Sequence, residues 1–490
     1  MAGLSRFLQR SKTCWTIVAV SACLLIAAYV FTAPPHAAPP HFAQPHFAEP
    51  QTAQPHTAQP HTAPNSTAQQ SFTLAGVTCN SDALHKLETR LHSFNGRLLS
   101  ELSAKHNFAP AVPDGENSWQ GVLPSVYIYS AYFHRNDSDP VGDIRLVGIT
   151  SKSNPIFQNT KNFTCKVRTE SGTFDGKAEM SLIPEDHGYQ FSAAFVRCVI
   201  SEVPSAARVE VALQYSAYPL VWINVHQYSR NESQEVISVC VRPLFGPFEN
   251  LVRLVEFLTY YSVLGVKQFS FYVTGDSRKA YHFLRLLGDQ HNVRISLHSW
   301  NLPLATHLIH SYGQLAFTQD CLYRARQSSK YVTVVDLDEF IVPKRYATLP
   351  EALAALEKEH SGKVIGNFNV RNQFFCLEYP PETSLETHPR VPLLTPVYTM
   401  RQSETWPHAS RSKYIARPNA AAVGGIHFIW KHEGNEEQIL VPPDVMAMHH
   451  YRRCCGIVRE LNKVTRDTDM SRFTKQIVNH DLIRTLETLT

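Results

Sequence analysis

From Val236 onward, strand-like and helix-like stretches alternate along the chain. "VISVCVRPLF" reads as a strand, and "FENLVRLVEFLTYYSVLG" carries the apolar spacing of an amphipathic helix that closes on Gly265. "VKQFSFYVTG", "RKAYHFLRLLGDQ" and "VRISLHSW" repeat the pattern, and a helix around "GQLAFTQDCLYRARQSS" leads into "YVTVVDLDEFIVP". This alternation predicts an α/β architecture, a parallel sheet with helices on both faces. Ligands bind such sheets beyond the carboxyl ends of the strands. Asp336 and Asp338 fall at one of those ends, with Glu339 beside them.

Carboxylates crowded where a buried strand runs out cost several kcal/mol unless they are paired or bound to a cation. An Asp-x-Asp at a strand end offers oxygen ligands to Mn²⁺ or Mg²⁺, and a nucleotide diphosphate supplies further oxygens. Alone the pattern is common in turns; its setting after a β run is what gives it weight. Glu339 is either a support for the pair or the partner of a basic residue.

The rest of the chain fixes the surroundings. Residues 13–31 form an uncharged apolar run flanked by Arg6, Arg10 and Lys12, long enough to span a bilayer as a signal-anchor helix; a signal peptide cleaved near Ala27 and Ala28 is the competing reading. The short basic side, 1–12, is then cytoplasmic and the remainder lumenal. Sequons at Asn65, Asn136, Asn162 and Asn231 agree with that side. So does the even set of eight cysteines beyond the span, of which Cys165 and Cys198 are the expected disulfide pair. Residues 32–76 carry a Pro/His/Ala/Gln repeat of period five, which reads as an extended stalk. Residues 77–235 begin with helical character and continue as short strands broken by turns, the pattern of a small β-sandwich. A formal net charge of +4, with no Lys/Arg block, leaves no electrostatic footprint for nucleic acid.

Between Val236 and Arg453 the ordered set "VCVRPLFG", "EFLTYYSVLGVKQFSFY", "VDLDEFIVP", "SRSKYIARP", "GGIHF" and "MHHYRR" resembles glycosyltransferase family 92. The resemblance implies a glycosyltransferase-A type, Rossmann-like catalytic domain over residues 236–490. It implies transfer of galactose from UDP-galactose with inversion, forming β-1,4 links to galactose or fucose. The layout is most similar to vertebrate members that act on galactose-terminated glycans. Asp336 and Asp338 would then hold Mn²⁺ with the UDP diphosphate.

Enzymes of this fold often complete the metal site with a late histidine, and His449 is preferred here over His450 and His427. Adjacent side chains on a strand point to opposite faces, so His449 and His450 are alternatives, not a pair. Arg242, Lys413 and Arg417 are candidates to face the donor phosphates, or else solvated surface cations. Inversion needs a base near the acceptor hydroxyl. Glu404 is the candidate, beside Trp406 as a stacking face for the acceptor sugar; Glu433, Glu436 and Asp444 are its rivals. The expected whole is a single-pass type II Golgi membrane protein with a lumenal transferase head. The alternatives are a transferase for another UDP-sugar and a membrane-tethered glycan-binding protein with an inactive transferase domain.

Overall fold

In a computed structural model, which describes residues 71–73, 79, 82–105, 118–136, 139–200, 208–226, 235–291, 293–385, 387–458 and 460–490, the first elements are β1 (Ser71–Thr73) and α1 (Asp82–Lys105). The expected tail, anchor span and repeat stalk, with Asn65 and Asn231, lie outside the described residues. Among the described residues no helix is long and apolar enough to cross a membrane. Leu91, Phe94, Leu98 and Leu102 recur at helical spacing along α1 and are buried.

Eight strands follow: β2 (Gln120–Leu123), β3 (Val126–Asn136), β4 (Asp139–Ser151), β5 (Phe163–Thr169), β6 (Gly172–Leu182), β7 (Phe191–Val199), β8 (Glu210–Tyr215) and β9 (Ile223–His226). They form one sheet in the order β2-β3-β4-β7-β6-β5-β8-β9, and β9 also pairs with β3 through Ala131↔Val225 and Tyr132↔His226. The module is therefore a closed barrel, not the expected sandwich. Both architectures alternate buried and exposed residues; what separates them is whether the sheet closes on itself, as it does here through β3 and β9 with β2 lying outside the closure. Cys165 of β5 and Cys198 of β7 are bonded as expected. They reach each other across β6, where a side chain on Gly176 would stand 2.8 Å from the Cys165 sulfur. Asn162 is exposed just before β5.

The alternating half begins with β10 (Glu235–Leu244), α2 (Leu251–Val263), β11 (Gln268–Val273), α3 (Arg278–Gln290), β12 (Arg294–Ser299), α4 (Gln314–Ala325) and β13 (Ser329–Val335). Beyond it lie β14 (Glu339–Pro343), α5 (Leu349–Glu359), β15 (Ile365–Val370), β16 (Asn372–Cys376), β17 (Met400–Gln402), β18 (Lys413–Ala416), β19 (Ala421–Gly424), β20 (Ile429–His432), β21 (Glu437–Leu440), β22 (Met446–Arg452), β23 (Lys463–Arg466), α6 (Thr474–Val478) and α7 (Asp481–Leu489). The main sheet runs β12-β11-β10-β13-β18-β15-β21. Its first four strands are parallel, as the alternation predicts. β18 runs antiparallel to both β13 and β15, so the sheet is mixed, not wholly parallel.

The chain steps from β10 outward to β11 and β12, then returns to the other side of β10 as β13. That reversal is the topological switch point, where open α/β sheets bind ligands. A second sheet, β14-β22-β16, stands beside it. The core of this half also takes in Leu91, Phe94 and Leu98 of α1. The helix thus packs with the sheet that follows, not with the strands it was grouped with from sequence.

Barrel and sheet are joined through α4. Tyr129, Tyr132 and Phe195 of the barrel share a core with Tyr272, Phe317 and Tyr323. At its centre Asp320, fully buried, accepts from the hydroxyls of Ser130, Tyr132 and Tyr272, each at 2.5 Å, and pairs with Arg324 at 3.1 Å. Cys321, the next residue, is bonded to Cys240 of β10. Burial alone would raise the Asp320 carboxyl, but Arg324 and the hydroxyl donors outweigh it and hold it at about 2, below the ordinary aspartate value of about 3.9.

Asp320→Ala strands those donors and Arg324, so chemical denaturation should read a loss of about 3–5 kcal/mol. Because the folded value is depressed, the carboxylate's contribution is complete above about pH 4 and is lost as pH falls towards about 2. The wild type should therefore show a steeper loss of stability across that window than the variant.

Candidate active site

β13 is buried over its last five residues, and the chain turns as it leaves the sheet. The Glu339 N–H donates to the Asp336 carbonyl at 3.1 Å, closing a four-residue turn. The Asp336 N–H donates in return to the Glu339 carboxylate at 2.8 Å. The turn leaves Asp336 and Asp338 half-exposed and buries Glu339. Across the switch point, Arg242 near the end of β10 lies 3.4 Å from Asp336. The second Asp336 oxygen, Oδ1, is buried and has no hydrogen-bond partner among the described residues.

Glu339 is the support of this turn. Its carboxylate meets Lys413 of β18 at 3.1 Å, with both groups buried. Burial raises the Glu339 carboxyl, Lys413 pulls it back, and the net shift is upward. Burial lowers Lys413, but Glu339 and Asp336 outweigh it and hold the ammonium up. Lys413, expected at the donor phosphates, thus stands behind the carboxylates as their counter-charge.

β14 pairs with β22 so that Glu339 faces His450 and Phe340 faces His449. Nε2 of His450 lies 3.3 Å from Asp338 and Nδ1 lies 3.7 Å from Glu339. Packing would raise the Asp338 carboxyl, but His450, then Arg452 and Arg242, hold it down at about 2. His449, the preferred ligand from sequence, points the other way. It stacks on Phe375 with ring centres 4.3 Å apart, and its nearest carboxylate, Asp467, is 4.0 Å away. Burial pushes its imidazole to about 3. His449, Asp467 and Asp469 lie close together, but protein cations already serve them. Lys344 is 3.3 Å from Asp467 and 2.7 Å from Asp469, and Arg401 is 2.9 Å from Asp467. The third candidate, His427, is half-buried with Nδ1 3.1 Å from the Ser412 carbonyl. Burial, with Lys413 nearby, lowers it to about 4.

A cavity of about 460 Å³ opens on the carboxylates, lined by Arg242, Phe245, Asp336, Asp338, Tyr451 and Arg452 among others. Arg452 escaped the sequence reading. It stands two residues beyond His450 on β22 and so shares its face, a signal already present in "HHYRR". Arg417 lies elsewhere: β18 runs against β13, which carries it past Tyr331 to the opposite strand end, where it pairs with Glu357.

The four candidate bases separate. Glu433 is locked by Arg326 at 2.6 Å, Arg145 at 2.8 Å and His134 at 3.4 Å, in a cluster that ties the barrel to α4. Burial would raise its carboxyl, but these partners drive it far below the ordinary range. Asp444 pairs with Arg345 on the surface. Glu436 accepts from the Gly434 N–H at 2.7 Å. Glu404 is exposed in the loop after β17 and has no ion-pair partner among the described residues. Trp406, in the same loop, meets Phe374 edge-on at 5.5 Å, and Phe374 in turn lies 5.1 Å from His450. Arg411 covers the Trp406 ring at 5.2 Å.

The eight cysteines from Cys79 onward form four pairs, Cys79–Cys455, Cys165–Cys198, Cys240–Cys321 and Cys376–Cys454, as suits an oxidising compartment such as the lumen of the secretory pathway.

Comparison with known proteins gives relatives of one kind. The chain is 23% identical over 315 residues to beta-1,4-galactosyltransferase galt-1 of Caenorhabditis elegans, covering 60% of this chain and 68% of the relative. It is 21% identical over 352 residues to glycosyltransferase family 92 protein F13G3.3 of the same organism, covering 69% of this chain and 65% of the relative. It thus spans about two thirds of each relative's length. Among solved structures, glucosyl-3-phosphoglycerate synthase from Mycobacterium tuberculosis matches at a TM-score of 0.18 and 14% identity, over 29% of this chain and 44% of that one. HddC from Yersinia pseudotuberculosis matches at 0.21 and 11%, over 52% and 100%. TM-scores this low do not mark a shared fold. The model of glycosyltransferase family 92 matches residues 235–489, which begins where β10 begins, leaves the barrel outside, and takes in every element around the carboxylates. The chain belongs to glycosyltransferase family 92.

Proposed function

We propose that this chain is an inverting galactosyltransferase of the glycosyltransferase-A type, moving galactose from UDP-galactose to a terminal sugar of N-glycans or related glycoconjugates. Galactose in a β-1,4 link is the favoured acceptor and product. One observation carries the reading: Asp336 follows a parallel strand at the switch point with a buried carboxylate oxygen that has no hydrogen-bond partner among the described residues. An unpaired buried carboxylate oxygen is costly, and a bound cation removes the cost. The relative named as a β-1,4-galactosyltransferase supports the choice of sugar.

The residues fit a divalent cation of the Mn²⁺ or Mg²⁺ kind. Asp336 and Asp338 offer carboxylate oxygens, and His450, in place of His449, offers an imidazole nitrogen that suits Mn²⁺. Bound there, the cation supplies counter-charge for the departing diphosphate. Arg242 and Arg452 face the same cavity and add fixed positive charge without further reorganisation. Lys413 acts through Glu339, holding the turn that presents both aspartates. Glu404 takes the proton from the acceptor hydroxyl as that oxygen attacks the anomeric carbon. The bond to the diphosphate oxygen breaks, UDP leaves with the electron pair, and the anomeric centre inverts. Trp406 stands beside that approach. An anchor at 13–31 and a stalk at 32–76 hold this head in the Golgi lumen.

The test uses full-length protein in detergent with UDP-galactose, Mn²⁺ and N-acetyllactosamine. EDTA should abolish transfer and added Mn²⁺ restore it, while Asp336→Asn loses several orders of magnitude in kcat. Wild-type turnover in that variant would sink the cation site, and glycan binding without turnover would favour a lectin.

Two histidine variants separate the faces of β22. His450→Ala should raise the Mn²⁺ concentration for half-maximal rate about 10–100-fold. His449→Phe should keep full activity and change stability by less than about 1.5 kcal/mol, since the new ring fills the same stacked space. For the base, Glu404→Gln should cut kcat by about 10²–10⁴-fold with the KM for UDP-galactose unchanged.

A further inference from the structure

The hairpin of β19 and β20 turns through "GGIHF", and a residue of the barrel holds that turn from outside. Glu185, in the connection between β6 and β7, accepts from the Ile426 N–H at 2.9 Å and from the indole N–H of Trp430 at 3.2 Å, both on Oε2. Its other oxygen lies 3.6 Å from His187, and the side chain is only 12% exposed. Gly425 makes room for the arrangement: a Cβ there would stand 2.7 Å from the Trp430 nitrogen and 2.8 Å from the Glu185 carboxylate.

Trp430 is nevertheless 39% exposed. Its polar edge is tied to the barrel, Phe428 sits 4.6 Å from it, and part of the side chain meets solvent. An isolated exposed tryptophan means little. One whose N–H is held by a nearly buried carboxylate is fixed in orientation, and a fixed aromatic face suits the apolar C–H face of a hexopyranose.

The turn is also tied to the reaction centre. The His427 carbonyl accepts from Asn369 at 3.1 Å and from the Ser412 hydroxyl at 2.9 Å. Asn369, fully buried, bonds with its other end to His408 at 2.7 Å. Hairpin and Glu404-bearing loop are therefore joined immediately beside Lys413. That loop also keeps two non-glycine residues, Ala409 (φ 63) and Arg411 (φ 56), in the left-handed region, a cost that persists where surroundings enforce it.

We propose that Trp430 is a stacking platform for the acceptor sugar and that Glu185 of the barrel is its positioning residue. This rests on the transferase reading and assigns the barrel a share in acceptor choice, although the barrel lies outside the family match.

The experiment compares full-length wild type, Trp430→Leu, Trp430→Phe and Glu185→Ala with N-acetyllactosamine varied at saturating UDP-galactose, and follows hydrolysis of UDP-galactose by water in parallel. Trp430→Leu keeps bulk without a ring and should raise the acceptor KM about tenfold or more, while Trp430→Phe, which keeps a ring, stays within about threefold. Glu185→Ala should raise the acceptor KM with the KM for UDP-galactose unchanged, and every variant should hydrolyse the donor at the wild-type rate. An unchanged acceptor KM in Trp430→Leu, an equal rise in both KM values, or equal behaviour of the Leu and Phe variants overturns the platform and leaves the transferase reading standing. A wild type that neither transfers nor hydrolyses overturns the transferase reading itself, and the platform falls with it.

Discussion

The buried ion pair between Glu339 and Lys413 is the interaction on which the rest of the site depends. It places a fixed positive charge directly behind a turn that carries three carboxylates. Glu339 uses the same carboxylate to accept the Asp336 N–H, so one side chain shapes the turn and receives the balancing charge. Breaking a buried pair by removing one member is far more damaging than never having had it. Asp336 and Asp338 face the cavity while Lys413 offsets part of the negative charge from behind. The sheet β14-β22-β16 then brings His450 and Arg452 to the same place from a segment more than a hundred residues later.

The position of this chemistry was legible in the sequence because it follows from alternation. Strands and helices taking turns from Val236 fix a parallel half-sheet, and the end of β13 is then a ligand-binding edge whatever else the chain does. Cys165 with Cys198 was legible for a similar reason, since both fall on strand-like segments of one module. Which histidine faces Asp338 was not. His449 and His450 are adjacent, and period two says only that they part company. Which one faces Asp338 depends on the register of β22 against β14, a non-local pairing. Arg417 misled in the same way: it follows the last residue of β18, four residues from Lys413 and far enough to lie towards the opposite end of β13. Glu433 looked like a free carboxylate because Arg145, Arg326 and His134 meet it only in three dimensions.

The barrel raises a different point about what sequence conceals. Its strands announce themselves singly, but sandwich and barrel differ only in the meeting of β3 and β9, a two-residue contact. Its burial against α4 was invisible too, because Asp320, Tyr132 and Tyr272 come from three separate stretches. The result is that the barrel is not an appendage. It shares a core with the sheet, donates two hydroxyls to Asp320, and sends Glu185 to the turn between β19 and β20.

The neighbouring cysteines at the exit of β22 have a mechanical consequence. Cys454 is bonded back to Cys376, at the end of β16, and Cys455 to Cys79, before α1. Force entering the head from residues ahead of Cys79 therefore passes through a covalent link to Cys455 and on to the β16 terminus, without loading the helix between. Those bonds cannot slip under load. The strand bearing His450 keeps its register under tension that would peel α1 away if packing alone restrained it.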